Sequence, residues 1–407
     1  MKSEGVKTAA FVAVAVGLLI AAAWFEPASR APELLSDQGQ PLFPQFRDVL
    51  AVKSIEIVAY NEDQAVAIPL KVEFRKGRWV LPSHYDYPAQ AEDQLAKTAA
   101  SLLGLRKDEV VSDRVEDQAT YGVIDPLDAS NPSLAGRGKR VTLRDQYGAV
   151  LADIVLGKPV PNRPGFRYVR LPGNKRIYAV KTDADPSARF EDWVSPNLLQ
   201  LAADRIRRVT VHRYSIDETL GRVTDVRRTV LVRDNGQWRV EGESRVSQNA
   251  IRDAIGTLAG LRIRGVRPKP APLAEQLARG QLLLTLETVF SLRQRGFFLA
   301  PTGRLFANEG EMLVETADGL VYVLRFGEIE RGGLGETSEG GSGAAGAQQG
   351  RYLLVTVSYD PNVERRYSPL QVGTSLGEQR AQRLNREFAN WYYVISEEDF
   401  KRLRLGS

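Results

Sequence analysis

Residues 74–80, FRKGRWV, and residues 231–240, LVRDNGQWRV, read as one device written twice: two strand segments around a tight turn, closed by a tryptophan. In the second, Asp234-Asn235-Gly236 is a strong hairpin signal, because Asn and Gly accept the positive φ that two-residue hairpin turns demand. The match extends outward on both sides. Ahead of each hairpin lies an alternating apolar strand, Ile55, Ile57 and Ala59 in one case and Val209, Val211 and Arg213 in the other. Behind each lies a helix, with Leu95, Ala99 and Leu102 on one apolar face and Ile251, Ile255 and Leu258 on the other, Ser247 standing as an N-cap. Both helices end in the same tripeptide, Gly104-Leu105-Arg106 and Gly260-Leu261-Arg262, and the chain re-enters a strand at Val110 and at Val266. The stretches 55–110 and 209–266 are therefore expected to be internal repeats.

The correspondence runs on past the helix. Residues 141–157 (VTLRDQYGAVLADIVLG) and 313–327 (LVETADGLVYVLRFG) each predict a hairpin ending in glycine. A further strand is expected at 166–171 and at 352–359, and IYAV at 177–180 parallels YYVI at 392–395. Two departures belong to the second copy. The run GGLGETSEGGSGAAGAQQG at 332–350 is too polar and glycine-rich to bury itself and predicts a flexible insertion, while 371–390 is charged and helix-compatible. The expected fold class is α+β. An N-terminal transmembrane helix precedes two repeated modules, 49–203 and 204–407, each a largely antiparallel sheet with one main helix.

Composition narrows the chemistry. A chain of 407 residues, 43% hydrophobic and 26% charged, has the length for more than one folding unit and the makeup of packed domains. The formal charge of +5 is small over that length and does not imply a nucleic-acid partner. Arg205, Arg207, Arg208, Arg213, Arg227, Arg228, Arg262, Arg264 and Arg267 crowd together in sequence, but acids interrupt them, so a solvated strand face is the expected outcome. With no cysteine, disulfides, thiolate metal sites and a cysteine nucleophile are excluded. His84 and His212 are the only histidines, too few for a histidine-rich metal site.

The uncharged run from Thr8 to Phe25, TAAFVAVAVGLLIAAAWF, approaches the roughly 20 apolar residues that cross a bilayer core. Lys2 and Lys7 precede it and Glu26 follows, which favours a cytoplasmic tail at 1–7 and an extracytoplasmic bulk, with Trp24 and Phe25 at the outer interface. A signal peptide cleaved after Ala23 is the competing reading, since alanines at 21–23 follow the apolar run. A proline-punctuated spacer, 26–48, is expected next, with folding starting near Val49.

The membrane segment, Gly77-Arg78-Trp79, the helix ending near Leu102-Leu103 and the motif Tyr121-Gly122-Val123-Ile124-Asp125-Pro126 lead to Leu156-Gly157 and Tyr168-Val169. In that order they resemble the bacterial membrane-anchored family catalogued as domain of unknown function 4340. The resemblance covers most of 49–201 and, more weakly, the second copy, where Tyr-Gly before Pro126 finds no clear counterpart. It implies a single-pass protein of the inner membrane, its bulk on the periplasmic side, associated with accessory components of ABC transporters related to gliding motility. No catalytic residues come with it.

Individual candidates for chemistry read as structural. Ser83-His84-Tyr85-Asp86 would place His84 and Asp86 on one side of a strand, where an Asp can orient a His base, but no turn places a nucleophile beside them. Gly136-Arg137-Gly138-Lys139-Arg140 lacks the spacing of a phosphate loop and precedes a strand, so a turn is expected. The pairs Asp125 with Asp128, Asp183 with Asp185, and Glu328 with Glu330 fit no calcium loop and predict turn or strand-end solvation. Trp79, Trp238 and Trp391-Tyr392-Tyr393 are expected in the core. No catalytic, cofactor or metal residue is therefore assigned. The functional expectation is a non-enzymatic, membrane-anchored envelope protein serving an ABC-type transport or surface-assembly complex. It contacts membrane lipid through Thr8 to Phe25 and a protein partner through the repeated modules. A polysaccharide- or lipid-binding envelope module is the alternative, with a hydrolase third.

Overall fold

A computed structural model describes residues 38–405 except 218–221, 243–244, 281, 284, 301, 331–349 and 369–374. The segment from Thr8 to Phe25, the tail 1–7 and the spacer up to residue 37 lie outside the described residues, as does the glycine-rich insertion apart from Gly350. No helix among the described residues is long and apolar enough to cross a membrane.

The first half is built on strands β1 (Ser54–Asn61), β2 (Val66–Arg75), β3 (Arg78–Leu81), β4 (Tyr87–Pro88), β5 (Glu109–Ser112), β6 (Lys139–Arg144), β7 (Val150–Pro159), β8 (Phe166–Arg170) and β9 (Ile177–Lys181). They form an antiparallel sheet in the order β4-β3-β2-β1-β6-β7-β8-β9-β5. Helix α1 (Glu92–Leu102) carries the chain from the β4 edge to the β5 edge, with Leu95, Thr98, Ala99 and Leu102 buried, and a single turn, α2 (Gln118–Tyr121), follows β5.

In the second half β10 (Ile206–Asp217), β11 (Arg222–Asp234), β12 (Gln237–Glu241), β13 (Gly265–Pro268), β16 (Glu311–Thr316), β17 (Leu320–Glu330), β18 (Gly350–Tyr359) and β19 (Trp391–Ser396) form an antiparallel sheet. Its order is β12-β11-β10-β16-β17-β18-β19-β13, with β14 (Phe297–Leu299) and β15 (Leu305–Ala307) paired apart from it. Helix α3 (Gln248–Ala259) crosses between the β12 and β13 edges, and the Ser247 hydroxyl accepts the Ala250 N–H at its start, the expected cap. Helices α4 (Ala271–Ala278) and α5 (Leu286–Arg293) precede β14. Helices α6 (Pro361–Tyr367) and α7 (Ser375–Ala389) lie between β18 and β19, and α8 (Glu397–Leu403) ends the fold.

Local sequence accounts for the hairpins. Asn235 and Gly236 take φ of 48° and 82°, and Lys76 and Gly77 take 49° and 79°, both residues left-handed in each turn. That backbone twist matches the twist of the flanking strands. Trp79 and Trp238 pack against the core from half-buried positions, Trp79 edge-on to Phe74 at 5.3 Å. One continuous hydrophobic cluster runs from Leu42 to Leu405 through both halves.

The core begins earlier than the sequence implies. Leu42, Phe43 and Phe46 are buried in the cluster, so residues 38–48 are part of the folded body and not a spacer. The Leu42 N–H donates to the Leu105 carbonyl at 2.7 Å, and in the second half the Leu198 N–H donates to the Leu261 carbonyl at 2.9 Å. A segment rich in apolar residues thus pairs with the chain just past the end of each main helix. Prolines at 41 and 44 disguise this segment as a linker.

The hairpins expected to close at Gly157 and Gly327 instead continue, β7 to Pro159 and β17 to Glu330. Each glycine lets another backbone cross the strand. A Cβ on Gly157 would stand 2.5 Å from the Tyr121 carbonyl oxygen and from Val123 Cγ1, and one on Gly327 would overlap the Arg295 carbonyl. Gly122 and Gly296, at φ of 70° and 77°, turn the crossing chains. Tyr121 meets Tyr168 in a tilted contact at 4.6 Å, and the Arg295 guanidinium lies over the Tyr352 ring at 5.8 Å. Tyr121-Gly122-Val123 crosses β7 at Gly157, and Arg295-Gly296-Phe297 crosses β17 at Gly327.

Candidate functional site

The Ser83-His84-Tyr85-Asp86 cluster is not a strand. Pro82–His84 is a turn of 3-10 helix, and Tyr85 and Asp86 follow with φ of 59° and 57°. Two left-handed residues swing Asp86 away from His84 and onto Arg75 at 2.8 Å. Among the described residues the His84 Nδ1 meets only Ser83 Oγ, at 3.0 Å, and its ring stacks on Phe190 at 4.6 Å. Burial, with the Arg267 guanidinium nearby, lowers its pKa to about 4. The imidazole is thus neutral at ordinary pH and packed as an aromatic ring.

Gly136-Arg137-Gly138-Lys139-Arg140 is a turn held by its own arginine. The Arg137 guanidinium donates to the carbonyls of Ser133 (2.9 Å), Asp125 and Asp128 (both 3.0 Å) and Asn131 (2.6 Å), and lies 4.7 Å from the Tyr60 ring centroid. Its donors are consumed by the loop and face no ligand. Arg137→Met is expected to lower stability by about 2 kcal/mol, the scale of lost charged hydrogen bonds, and to open the loop at its exposed Leu127 and Leu134 to chymotrypsin. Unchanged digestion kinetics would contradict this.

The carboxylate pairs divide rather than converge. Asp125 caps the Leu127 N–H and contacts Arg140, Asp128 caps Ser130, and Asp185 holds Lys139 at 2.6 Å. Glu330 corrects the expectation of a solvated strand end: it is buried against Arg267 at 2.6 Å, and burial raises its pKa. No group of three or more metal-ligating side chains occurs among the described residues. Arg208, Arg264 and Arg267 of the arginine-rich stretch each engage a carboxylate, at 2.6, 3.7 and 2.6 Å.

A concave site lies where the halves meet. A half-open cleft of about 430 Å³ is lined from the first half by Arg78, Tyr87 and Gln90, from the connecting segment by Asn197 and Gln200, and from the second half by Arg383, Arg386, Glu387 and Trp391. The α7 sequence explains its wall: Ala381, Leu384 and Phe388 are buried on one face, which leaves Arg383, Arg386 and Glu387 exposed on the other. The floor is pinned by Lys269, whose backbone N–H donates to the Asn390 carbonyl at 2.9 Å and whose Nζ donates to the carbonyls of Phe388, at 3.0 Å, and Trp391. Burial, reinforced by Arg295, pushes the Lys269 pKa well down.

Behind the cleft an aromatic ladder joins the halves. His84 stacks on Phe190, Phe190 meets Tyr87 at 5.7 Å, and Tyr87 meets Trp391 edge-on at 5.1 Å. The Tyr393 hydroxyl donates to the Glu387 carbonyl at 3.4 Å, and burial raises the pKa values of Tyr87 and Tyr393, that of Tyr87 to about 12. Gln200 Nε2 donates to Glu387 at 2.8 Å, and Arg383 stands 3.9 Å from the same carboxylate.

Residues 79–278 match the model of a family described as a domain of unknown function, DUF4340. Over that stretch, just under half of its length, the chain matches DUF4340. No curated protein and no solved structure matches it. The DUF4340 span opens at Trp79 and extends through β13 into α4, so it bridges the two halves instead of coinciding with either. It supplies Tyr87, Gln90, Asn197 and Gln200 to the cleft, whereas Arg383, Arg386 and Trp391 come from beyond it. Sequence reasoning missed this site because its walls are about 300 residues apart in sequence and carry no motif. The one available signal was helix α7, charged on one face and absent from the first half.

Proposed function

We propose that this chain is a non-enzymatic accessory protein of the bacterial cell envelope, held in the inner membrane by the segment from Thr8 to Phe25 with its bulk on the extracytoplasmic side. It serves an ABC-type transport or surface-assembly complex by binding, not by turnover. The observation that carries this reading is the makeup of the seam cleft: guanidinium, amide and aromatic groups, with the one carboxylate among its described lining residues held by Gln200 and the Ser195 hydroxyl bonded to the Asn197 backbone. Such groups recognise and orient a ligand, whereas a hydrolase needs a nucleophile and base in mutual reach. Crosslinking of the full chain in native membranes, followed by mass spectrometry of the adducts, is expected to recover a transporter or envelope-assembly subunit. Recovery of none sinks the reading.

The two halves, 49–203 and 204–407 in sequence terms with their pairing segments added, are further read as diverged copies of one module. Support comes from the shared eight-strand order, the paired left-handed turns and the crossings at Gly157 and Gly327. Superposition of the halves on those strands must bring the two glycines together, or the reading falls.

A further inference from the structure

The seam cleft has a recognisable chemical preference. Arg78, on β3, and Arg386, on α7, face it from opposite halves, and neither has an ionic or hydrogen-bonded side-chain partner among the described residues. Two unpaired guanidinium groups across a gap call for an anion, which they can grip through paired N–H donors. The amides of Gln90 and Asn390 add neutral donors and acceptors between them.

Asn197 belongs to the wall itself: its Nδ2 donates to the Leu201 carbonyl at 3.2 Å, and its Oδ1 is buried out of reach of the cleft. Trp391 and Tyr87 present half-buried rings to the same space, a surface for a flat apolar face.

We propose that the seam cleft binds an acidic saccharide. Its carboxylate or phosphate group lies between Arg78 and Arg386, its hydroxyls meet the exposed amides of Gln90 and Asn390, and a sugar ring face packs on Trp391. A simple inorganic anion meets the first demand alone, and a neutral sugar meets only the second and third. A cleft of about 430 Å³ is within the ~300–1,000 Å³ range of small-ligand sites. Because the anion is held from both halves, binding also bridges β3 to α7 and stiffens the seam.

This inference rests on reading the seam as a binding surface, yet it fails separately: a crosslinked transporter partner can be recovered whether or not a sugar binds. The test uses the full chain in neutral detergent micelles, titrated with fluorescently labelled tetragalacturonate, labelled maltotetraose and inorganic phosphate as competitor. Tetragalacturonate is expected to bind at least about tenfold more tightly than maltotetraose, which is the size of one charged contact. The double variant Arg78→Gln/Arg386→Gln is expected to erase that preference while its thermal unfolding stays as in the parent, since both side chains are exposed and unpaired. Asn390→Asp, which places a negative charge on the cleft wall, is expected to weaken tetragalacturonate further than maltotetraose. Equal affinity for the two saccharides, an unaltered preference in the double variant, or displacement by phosphate at matching concentrations would each overturn the proposal, the last by assigning a bare anion site.

Discussion

Gly157→Ala is expected to destabilise the protein by about 2–3 kcal/mol, the cost of forcing a methyl group into a packed site. The added carbon would meet the Tyr121 carbonyl and Val123 Cγ1 at 2.5 Å and the Gly122 carbonyl at 3.0 Å. Two of those atoms are backbone and cannot swing aside as a flexible side chain would. The loop 121–125 must lift, and with it the Arg170 Nε hydrogen bond to the Val123 carbonyl, 2.8 Å long and buried. Gly327→Ala is expected to fail in the same way, because its Cβ overlaps the Arg295 carbonyl and approaches the Phe297 ring. Gly256 is the control: it lies inside α3, and a methyl group added there would have nothing within 4 Å, so Gly256→Ala is expected to stabilise by roughly 0.5–1 kcal/mol. Urea unfolding of the three variants tests the argument. Equal midpoints for Gly157→Ala and Gly256→Ala would refute it.

These glycines also show where sequence reasoning reached and where it stopped. The Trp hairpins, the apolar faces of α1 and α3 and the Ser247 cap were legible because each is a local device, decided by spacing or by one residue's φ preference. The crossings at Gly157 and Gly327 were visible only as glycines, because what they accommodate comes from a loop 30 to 40 residues earlier. The second crossing had no Tyr-Gly pair to mark it, since there the Arg295 guanidinium covers the Tyr352 ring, where Tyr121 meets Tyr168 at the first. Leu42 to Phe46 were lost for a different reason: prolines at 41 and 44 signal a linker, but a segment that pairs just past a helix end through the Leu42 N–H has no need of the N–H groups that proline lacks. The seam cleft left one local trace, the charged face of α7.

Lowering the pH from 7.5 to 4.5 is expected to remove about 2–3 kcal/mol of stability through His84 alone. Above its unfolded-state value of 6.5 the imidazole is neutral in both states and contributes fully. Between 6.5 and about 4 the unfolded chain takes up a proton that the folded one refuses, so stability is lost as pH falls through that window. The gap between the two values, at about 1.4 kcal/mol per pH unit, sets the size of the effect. Burial against Phe190 is the main cause of the refusal and Arg267 the second. Glu330, paired with Arg267, works the other way, because its raised pKa lets the folded state bind a proton first as pH falls and so offsets part of the loss. Carboxylates held low by partners, among them Asp185, Asp192 and Glu311, lose their contribution at lower pH still. The His84→Gln variant removes the imidazole and keeps those groups, so the difference between its urea midpoint and that of the parent isolates His84. That difference is expected to shrink or reverse between pH 7.5 and 4.5, and parallel pH profiles would rule the mechanism out. Since His84 anchors the ladder through Phe190 and Tyr87 to Trp391, the same protonation should loosen the wall of the cleft before the sheets unfold. Tetragalacturonate affinity is then expected to fall across the His84 window in the parent and to stay flatter in His84→Gln.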